Sequence, residues 1–305
     1  MTARRGIALL AAVWLVVAIG ALSLEVSWLT RTRRLATLNA LESEQARSAA
    51  IAGLAHARGR LTRALGAAGN DALADPWGAV LGGASDTLGT AVYAFEVQDD
   101  GALLDVNRAT EAMLARLFSA CGADARDATA AAAHIADWRD ADNVRRVGGA
   151  ERDDYLAAGA RMLPANAEVQ RVSELDDLLN LPRAWSCVRP LLTVHGAGLV
   201  NPNTAPSEVL QALPGLTANA AQAIVAARHA GRVREWRDLL AALPPGSRAG
   251  VEREADALQR LLVYETHVVH VTSEARVASG PTSVVAEALM QRMGRTVFTA
   301  WRSFR

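Results

Sequence analysis

A chain of 305 residues with 32 basic and 32 acidic side chains carries no formal net charge, and every one of its cations is arginine. That balance excludes a general electrostatic footprint for nucleic acid and excludes a polyacidic surface. Two cysteines, Cys121 and Cys187, either pair in an oxidising compartment or stay as buried free thiols.

Ile7 to Leu24 is an uncharged run of 18 residues preceded by Arg4 and Arg5. An α-helix needs about 18 to 20 apolar residues to cross a bilayer core, and the arginines hold its start on the cytoplasmic side. Three readings compete: a removable secretory signal cut near Ala18-Ile19-Gly20, a plain anchor, and a leader cut before the apolar run. Apolar and small residues continue at helical spacing through Leu22, Val26, Leu29, Ala36, Ala40, Ala50, Leu54, Leu61 and Leu65, with no proline before Pro76. The helix therefore runs on out of the membrane as a rod of almost ~90 Å at ~1.5 Å per residue, an extension that a signal peptide does not need.

After the rod, NDALADPWGAVLGGASDTLG reads as a connection. Tyr93, Phe95 and Val97 alternate as a strand, Asp99-Asp100-Gly101 supplies a turn, and Leu103 to Asn107 offers a second strand, which together predict a hairpin. From Arg108 to about Leu262 the period is helical. Ser173 with Asp176 fits a capping box, and Thr204 with Pro206 and Glu208 fits another helix start. LVYETHVVHVTSEARVA and TVFTAWRSF then alternate again, while SVVAEALMQRM fits a strand or a short helix. The fold class is α+β, an antiparallel sheet interrupted by an all-helical block.

Two motifs inside the block carry chemistry. Asp137, Asp140, Asp142, Glu151, Asp153 and Asp154 fall within eighteen residues around the turn Gly148-Gly149. Such carboxylates suit a hard cation such as calcium, although the frame is not that of an EF-hand. Arg139, Arg145, Arg146 and Arg152 stand among them, so helix capping and ion pairing use the same residues equally well. Secondly, NPNTAPSEVLQALPGLTANAAQAIVAARHA looks like a helix-hairpin-helix module, whose two glycines let backbone amides approach a DNA phosphate. Here Pro214-Gly215-Leu216-Thr217 keeps the first glycine and puts a β-branched residue at the second, which points to a packing module. No nucleophile elbow, phosphate loop or cysteine-histidine pairing marks an enzyme, and His267 and His270, three apart on a strand, point to opposite faces. Trp77, Trp138, Trp185, Trp236 and Trp301 read as scattered core anchors.

The N-terminus resembles the type IV pilin-like proteins, whose short basic leader ends in glycine. Gly6 matches the residue before the cut and Ile7 the new, N-methylated terminus. The glutamate that these proteins carry at the fifth mature position is replaced by Ala11. A carboxylate in the bilayer is costly unless paired, and a subunit with no neighbour above it needs no such partner. With D-G-x-L-x-x-x-N from Asp100 to Asn107 and D-W-x-D-x-D around Asp137, the chain resembles the K-type minor pseudopilins of type II secretion systems, the general secretion pathway protein K family. The resemblance implies a leader over residues 1–6, a helical spine over 7–66, a linker and hairpin over 67–107, an inserted helical domain over 108–257 and returning strands over 258–305. It also implies a non-enzymatic, single-pass inner-membrane protein with its bulk in the periplasm, supporting protein export from the tip of a fibre. Its implied partners are the I- and J-type minor pseudopilins, a prepilin peptidase, the inner-membrane platform and secreted cargo, with calcium as the one candidate cofactor. The rival classes are a membrane-anchored helix-hairpin-helix DNA-uptake protein, and a simple anchored periplasmic adaptor.

Overall fold

The structure, a computed structural model, describes residues 3–67, 75–278, 280 and 282–304, and for residues 3–11 the backbone course alone. It begins with one helix, α1 (Ala3–Ala67), of 65 residues, which at ~1.5 Å per residue extends for roughly 100 Å. Its N-terminal part is long and apolar enough to cross a membrane, with a mean hydropathy of 1.9 and none of that window buried. Side chains 12–41 are exposed; burial starts at Ala46 and recurs at Ala49, Ala50, Leu54, Ala57, Leu61 and Leu65. That spacing of three and four is one helical face, and its alanines bring the rod close to what it covers.

The covered surface is an antiparallel sheet. Strand β1 (Gly82–Leu88) pairs with β2 (Ala91–Asp99), and β2 ends in a short 3₁₀ turn, Asp100–Ala102. The chain then leaves the sheet. A two-residue strand, β3 (Leu104–Asp105), is followed by α2 (Glu111–Ala120), α3 (Ala125–Arg139), α4 (Arg152–Ala157) and α5 (Trp185–Val188). Strand β4 (Leu192–Thr193) pairs in parallel with β3, and α6 (Ser207–Ala212), α7 (Ala218–Ala230), α8 (Trp236–Ala242), α9 (Pro245–Arg253) and α10 (Ala255–Gln259) complete the block. The sheet resumes with β5 (Val268–Val277), β6 (Ser283–Met293) and β7 (Thr296–Phe304), giving the order β1-β2-β5-β6-β7.

Two separate cores result. In the first, Tyr93, Phe95 and Val97 of β2 and Val269, Val271, Ala275 and Val277 of β5 meet the alanine face of α1, with Trp77 fully buried beside them. In the second, Leu114, Leu117 and Phe118 of α2 pack with Ile135 and Trp138 of α3 and with Leu210, Leu213 and Ile224 of the later helices. Contacts run in order along the rod: Gln45 reaches Thr90, Gly53 lies under Ser273, His56 bonds Tyr93, and Arg60 sits over the Phe95 ring. Since β2 ends at Asp99, the helical block leaves the sheet at the C-terminal end of α1, away from the apolar window.

Several local expectations are corrected. The hairpin forms one strand earlier, because GGASDTL is β1 rather than a connection, while Leu104–Asp105 pairs with β4. The Ser173–Asp176 box does not form: Val172–Asp177 is a 3₁₀ turn, and the Asp176 carboxylate accepts instead from Trp185 Nε1 at 2.9 Å and from Arg189. The second expected helix start is found at α6, with Glu208 in its first turn, but Pro206 rather than Thr204 stands at its N-cap, and the Thr204 hydroxyl donates to Asp99 at 2.6 Å. The alternation before Val268 is loop, and Trp301 is 38% exposed on the edge strand β7 rather than a core anchor.

Candidate cation site and the junction of the helical block

Asp137 sits on the last full turn of α3, whose alanines press it against the block, and it is completely buried. The loop after α3 folds back over it. Arg146 N donates to the carboxylate at 3.3 and 3.2 Å, Arg146 Nη1 donates at 2.7 Å, and the same guanidinium bonds Asp140. Gly148 turns the chain at φ 84°, and a Cβ on Gly149 would overlap Asp137 Oδ2, so the loop closes only with glycine there. Glu151, at the N-cap of α4, completes the group. Oxygens of Asp137, Asp140 and Glu151 lie within 4.8 Å of one another.

The other three acidic side chains are engaged elsewhere or outside the cluster. Asp142 accepts from Val144 N at 2.7 Å, Asp154 accepts from Glu151 N at 2.9 Å and pairs with Arg145 at 3.0 Å, and Asp153 is exposed. Burial, with Asp137, Asp140 and Asp142 adding to it, raises the Glu151 pKa; burial lowers that of His134 against the pull of Asp137 and Asp154. Hydrogen bonds to Asp140 and then Asp137 raise that of Arg146.

This geometry fits a calcium ion in its donors and its size. All three groups offer oxygen, and oxygens bonded to calcium at about 2.3–2.6 Å span roughly 5 Å across the ion. Asp140 Oδ1 is buried with no hydrogen-bond partner, and the buried Glu151 carboxylate is met only by the capping contact from the backbone of its own turn, an arrangement that a cation would relieve.

The helix-hairpin-helix-like turn is turned inward. Gly215, at φ 74°, packs so closely on Gly250 O and Glu254 that a Cβ would sit 3.1 Å from each. Pro214 and Leu216 flank it, and Thr217 caps α7 by accepting from Ala220 N at 3.3 Å. Arg228 is spent on the carbonyls of Pro202 and Ala205, and Arg232 on that of Tyr264. Cys121, at the end of α2, is joined to Cys187 of α5 by a disulfide. Gly6, Ile7 and Ala11 fall where side chains lie outside the described residues.

Sequence reasoning passed over a polar junction where the block meets the sheet. Asp99 accepts from Gly101 N, Asn201 Nδ2, Thr204 Oγ1 and Thr266 Oγ1, and Asp100 accepts from Thr193 Oγ1 at 2.8 Å. Asp75 accepts from Thr266 N at 3.1 Å. Burial raises the pKa of Asp99 and takes Asp100 up to about 6, Thr193 opposing and Asp99 and Asp105 adding. The D-D-G wording signalled only a turn; its partners lie about 100 residues or more further along, beyond any local pattern.

A membrane-length helix whose second half carries an antiparallel sheet defines the pilin-like class of fold, here with a helical block set into the sheet. Two family models, both described as type II secretion system protein K, match residues 91–197 and 200–262. The chain belongs to the type II secretion system protein K family, the K-type minor pseudopilins, which are structural components of the secretion machinery. It is similar to a chain in the crystal structure of the GspK-GspI-GspJ complex from the enterotoxigenic Escherichia coli type 2 secretion system, at 20% identity and a TM-score of 0.66. That similarity covers 90% of this chain and 99% of the other. No curated protein matches the sequence.

Proposed function

We propose that this minor pseudopilin occupies the tip of the periplasmic fibre, starts its assembly and supports export across the outer membrane. The observation that carries the reading is the position of the helical block. It springs from the sheet at the end of α1 remote from the apolar window, so it stands where the next subunit of a stack would sit. Ala11 fits this role, since a protomer with nothing above it has no terminal amino group to pair with a membrane-embedded carboxylate. The exposed rod over residues 12–41 offers apolar and small side chains both to lipid and to neighbouring rods.

In this reading a prepilin peptidase cuts after Gly6 and Ile7 becomes the methylated terminus of a single-pass inner-membrane protein with its head in the periplasm. The crystal structure with GspI and GspJ supports the I- and J-type minor pseudopilins as partners here too. The inner-membrane platform and the secreted cargo complete the set. Calcium bound by Asp137, Asp140 and Glu151 locks the loop between α3 and α4 onto the block, with Asp142, Asp153 and Asp154 left to ion pairing and capping.

Immunogold labelling of assembled fibres tests the placement: label at one end is expected, and label along the length overturns it. Mass spectrometry of the protein from cells should find N-methyl-isoleucine at Ile7, and an intact leader removes the pseudopilin processing step.

A further inference from the structure

The cation site already holds a cation, and it belongs to the protein. Arg146 Nη1 lies between Asp137 Oδ1, at 2.7 Å, and Asp140 Oδ2, while its backbone N–H holds Asp137 independently. Its side chain is 37% exposed, and its Nε is 3.6 Å from Glu111 Oε2 at the start of α2. The guanidinium therefore has a way out and a second carboxylate beside that way, while the loop stays anchored through the backbone. Glu151, by contrast, takes no hydrogen bond from it and is met only by the backbone of its own turn. Arginine satisfies two of the three carboxylates, whereas an ion ligated by oxygens on all sides satisfies three.

We propose that Arg146 is a resident counter-ion that exchanges with calcium: bound metal expels the guanidinium from Asp137 and Asp140 towards Glu111 and solvent, and metal loss draws it back. This rests on the calcium reading of Asp137, Asp140 and Glu151. The exchange keeps the acidic group compensated in both states, so the loop around Gly148 and Gly149 stays folded without metal, and calcium affinity is set by the competition rather than by the carboxylates alone. A positive charge already seated among the ligands must be displaced before the ion binds, and a charge-assisted hydrogen bond is strong enough to weaken binding on the order of 10- to 100-fold.

The test uses the full chain in detergent micelles, titrated with calcium alone. R146Q is expected to bind calcium about 10- to 100-fold more tightly than the wild type. It should melt below the wild type in EDTA and gain more from calcium. In the wild type, phenylglyoxal modification of Arg146, mapped by mass spectrometry, should run several-fold faster with calcium than with EDTA. Equal calcium affinity for the two proteins with an unchanged Arg146 reaction rate overturns the exchange and leaves the cation site standing. Absence of calcium binding in both overturns the site itself and the exchange with it.

Discussion

The rod-and-sheet unit and the helical block reach stability by opposite routes. In the first, one long helix and five strands meet through repeating patterns, alanines at three- and four-residue spacing against every second residue of β2 and β5. Hydrogen bonds tie the two layers at points such as His56 to Tyr93 and Arg58 to the carbonyl of Val297. The block has helices of 4 to 15 residues, and isolated helices shorter than about 12–15 residues are marginal in water. Its segments are held by added ties: a disulfide, side-chain caps such as Thr110 and Asp124, and arginines bonded to distant carbonyls, Arg116 to Ala212 and Arg139 to Val106 and Ala109. Regular elements of great length need only complementary surfaces; short ones need specific links between positions far apart in sequence.

The largest effect should follow from the one covalent link among those named. The Cys121–Cys187 bridge spans 66 residues of the block, a loop whose closure stabilises by about 4 kcal/mol in the chain-entropy account. The C121S/C187S variant is expected to lower the melting of the block by that amount and leave the rod-and-sheet transition in place, as circular dichroism of the full chain in micelles would show. A single transition that falls as a whole would break the comparison, because the two cores would then unfold as one. The junction should come next. Asp100 has a folded pKa of about 6 against an ordinary 3.8, and a raised carboxyl pKa gives stability that is complete below the unfolded value and is lost as pH rises through the folded one. Between about pH 4 and pH 7 this one group removes on the order of 3 kcal/mol, at 1.36 kcal/mol per pKa unit. D100N, which still reaches Thr193, should flatten that slope in a denaturant series; an unchanged slope would remove Asp100 as its source.

The rod-and-sheet unit is most sensitive where its surfaces are closest. Gly53 lies beneath Ser273 and Tyr93, and a Cβ there would overlap the serine hydroxyl and stand 3.0 Å from the tyrosine ring. Gly53→Ala gains helix propensity worth ~1 kcal/mol, yet overpacking costs ~1–3 kcal/mol. The expected net loss is roughly 1 kcal/mol, read as a lower melting point of the sheet with the block unaffected. A stabilised variant would mean that the rod shifts freely on the sheet, which the packing at Ala49, Ala50 and Ala57 argues against.

The same contrast decides what was legible in the sequence. The membrane helix, its extension, the helical character of the inserted block, β5 and β7 were readable because their periods persist over many residues. Strand β1 was not, since Gly82 to Leu88 lies on the sheet edge with mostly exposed positions and has no apolar alternation to betray it. Within the acidic run the sequence offered six carboxylates without ranking them. Only folding separates Asp137, Asp140 and Glu151, which converge, from Asp142, Asp153 and Asp154, which do not. The junction at Asp99 and Asp100 was illegible because its partners, Thr193, Asn201, Thr204 and Thr266, stand 93 to 167 residues further along the chain.

Caps give the smallest and sharpest test, because in the block the fuller motif fails to cap while the sparser one succeeds. Ser173-x-x-Asp176 has the spacing of a capping box, but Arg171 stands at the N-cap of a 3₁₀ turn and Asp176 faces Trp185 and Arg189. Thr110, without a glutamate three positions later, does cap α2 by accepting from Met113 N at 3.2 Å. Thr110→Ala should therefore lower block stability by about 1 kcal/mol, while Ser173→Ala stays within about 0.5 kcal/mol of the wild type in the same urea series. Equal losses would restore the box at Ser173. The expected inequality instead shows that a cap motif acts only where the following residues can complete an α-helical turn, a condition set in this block by its packing.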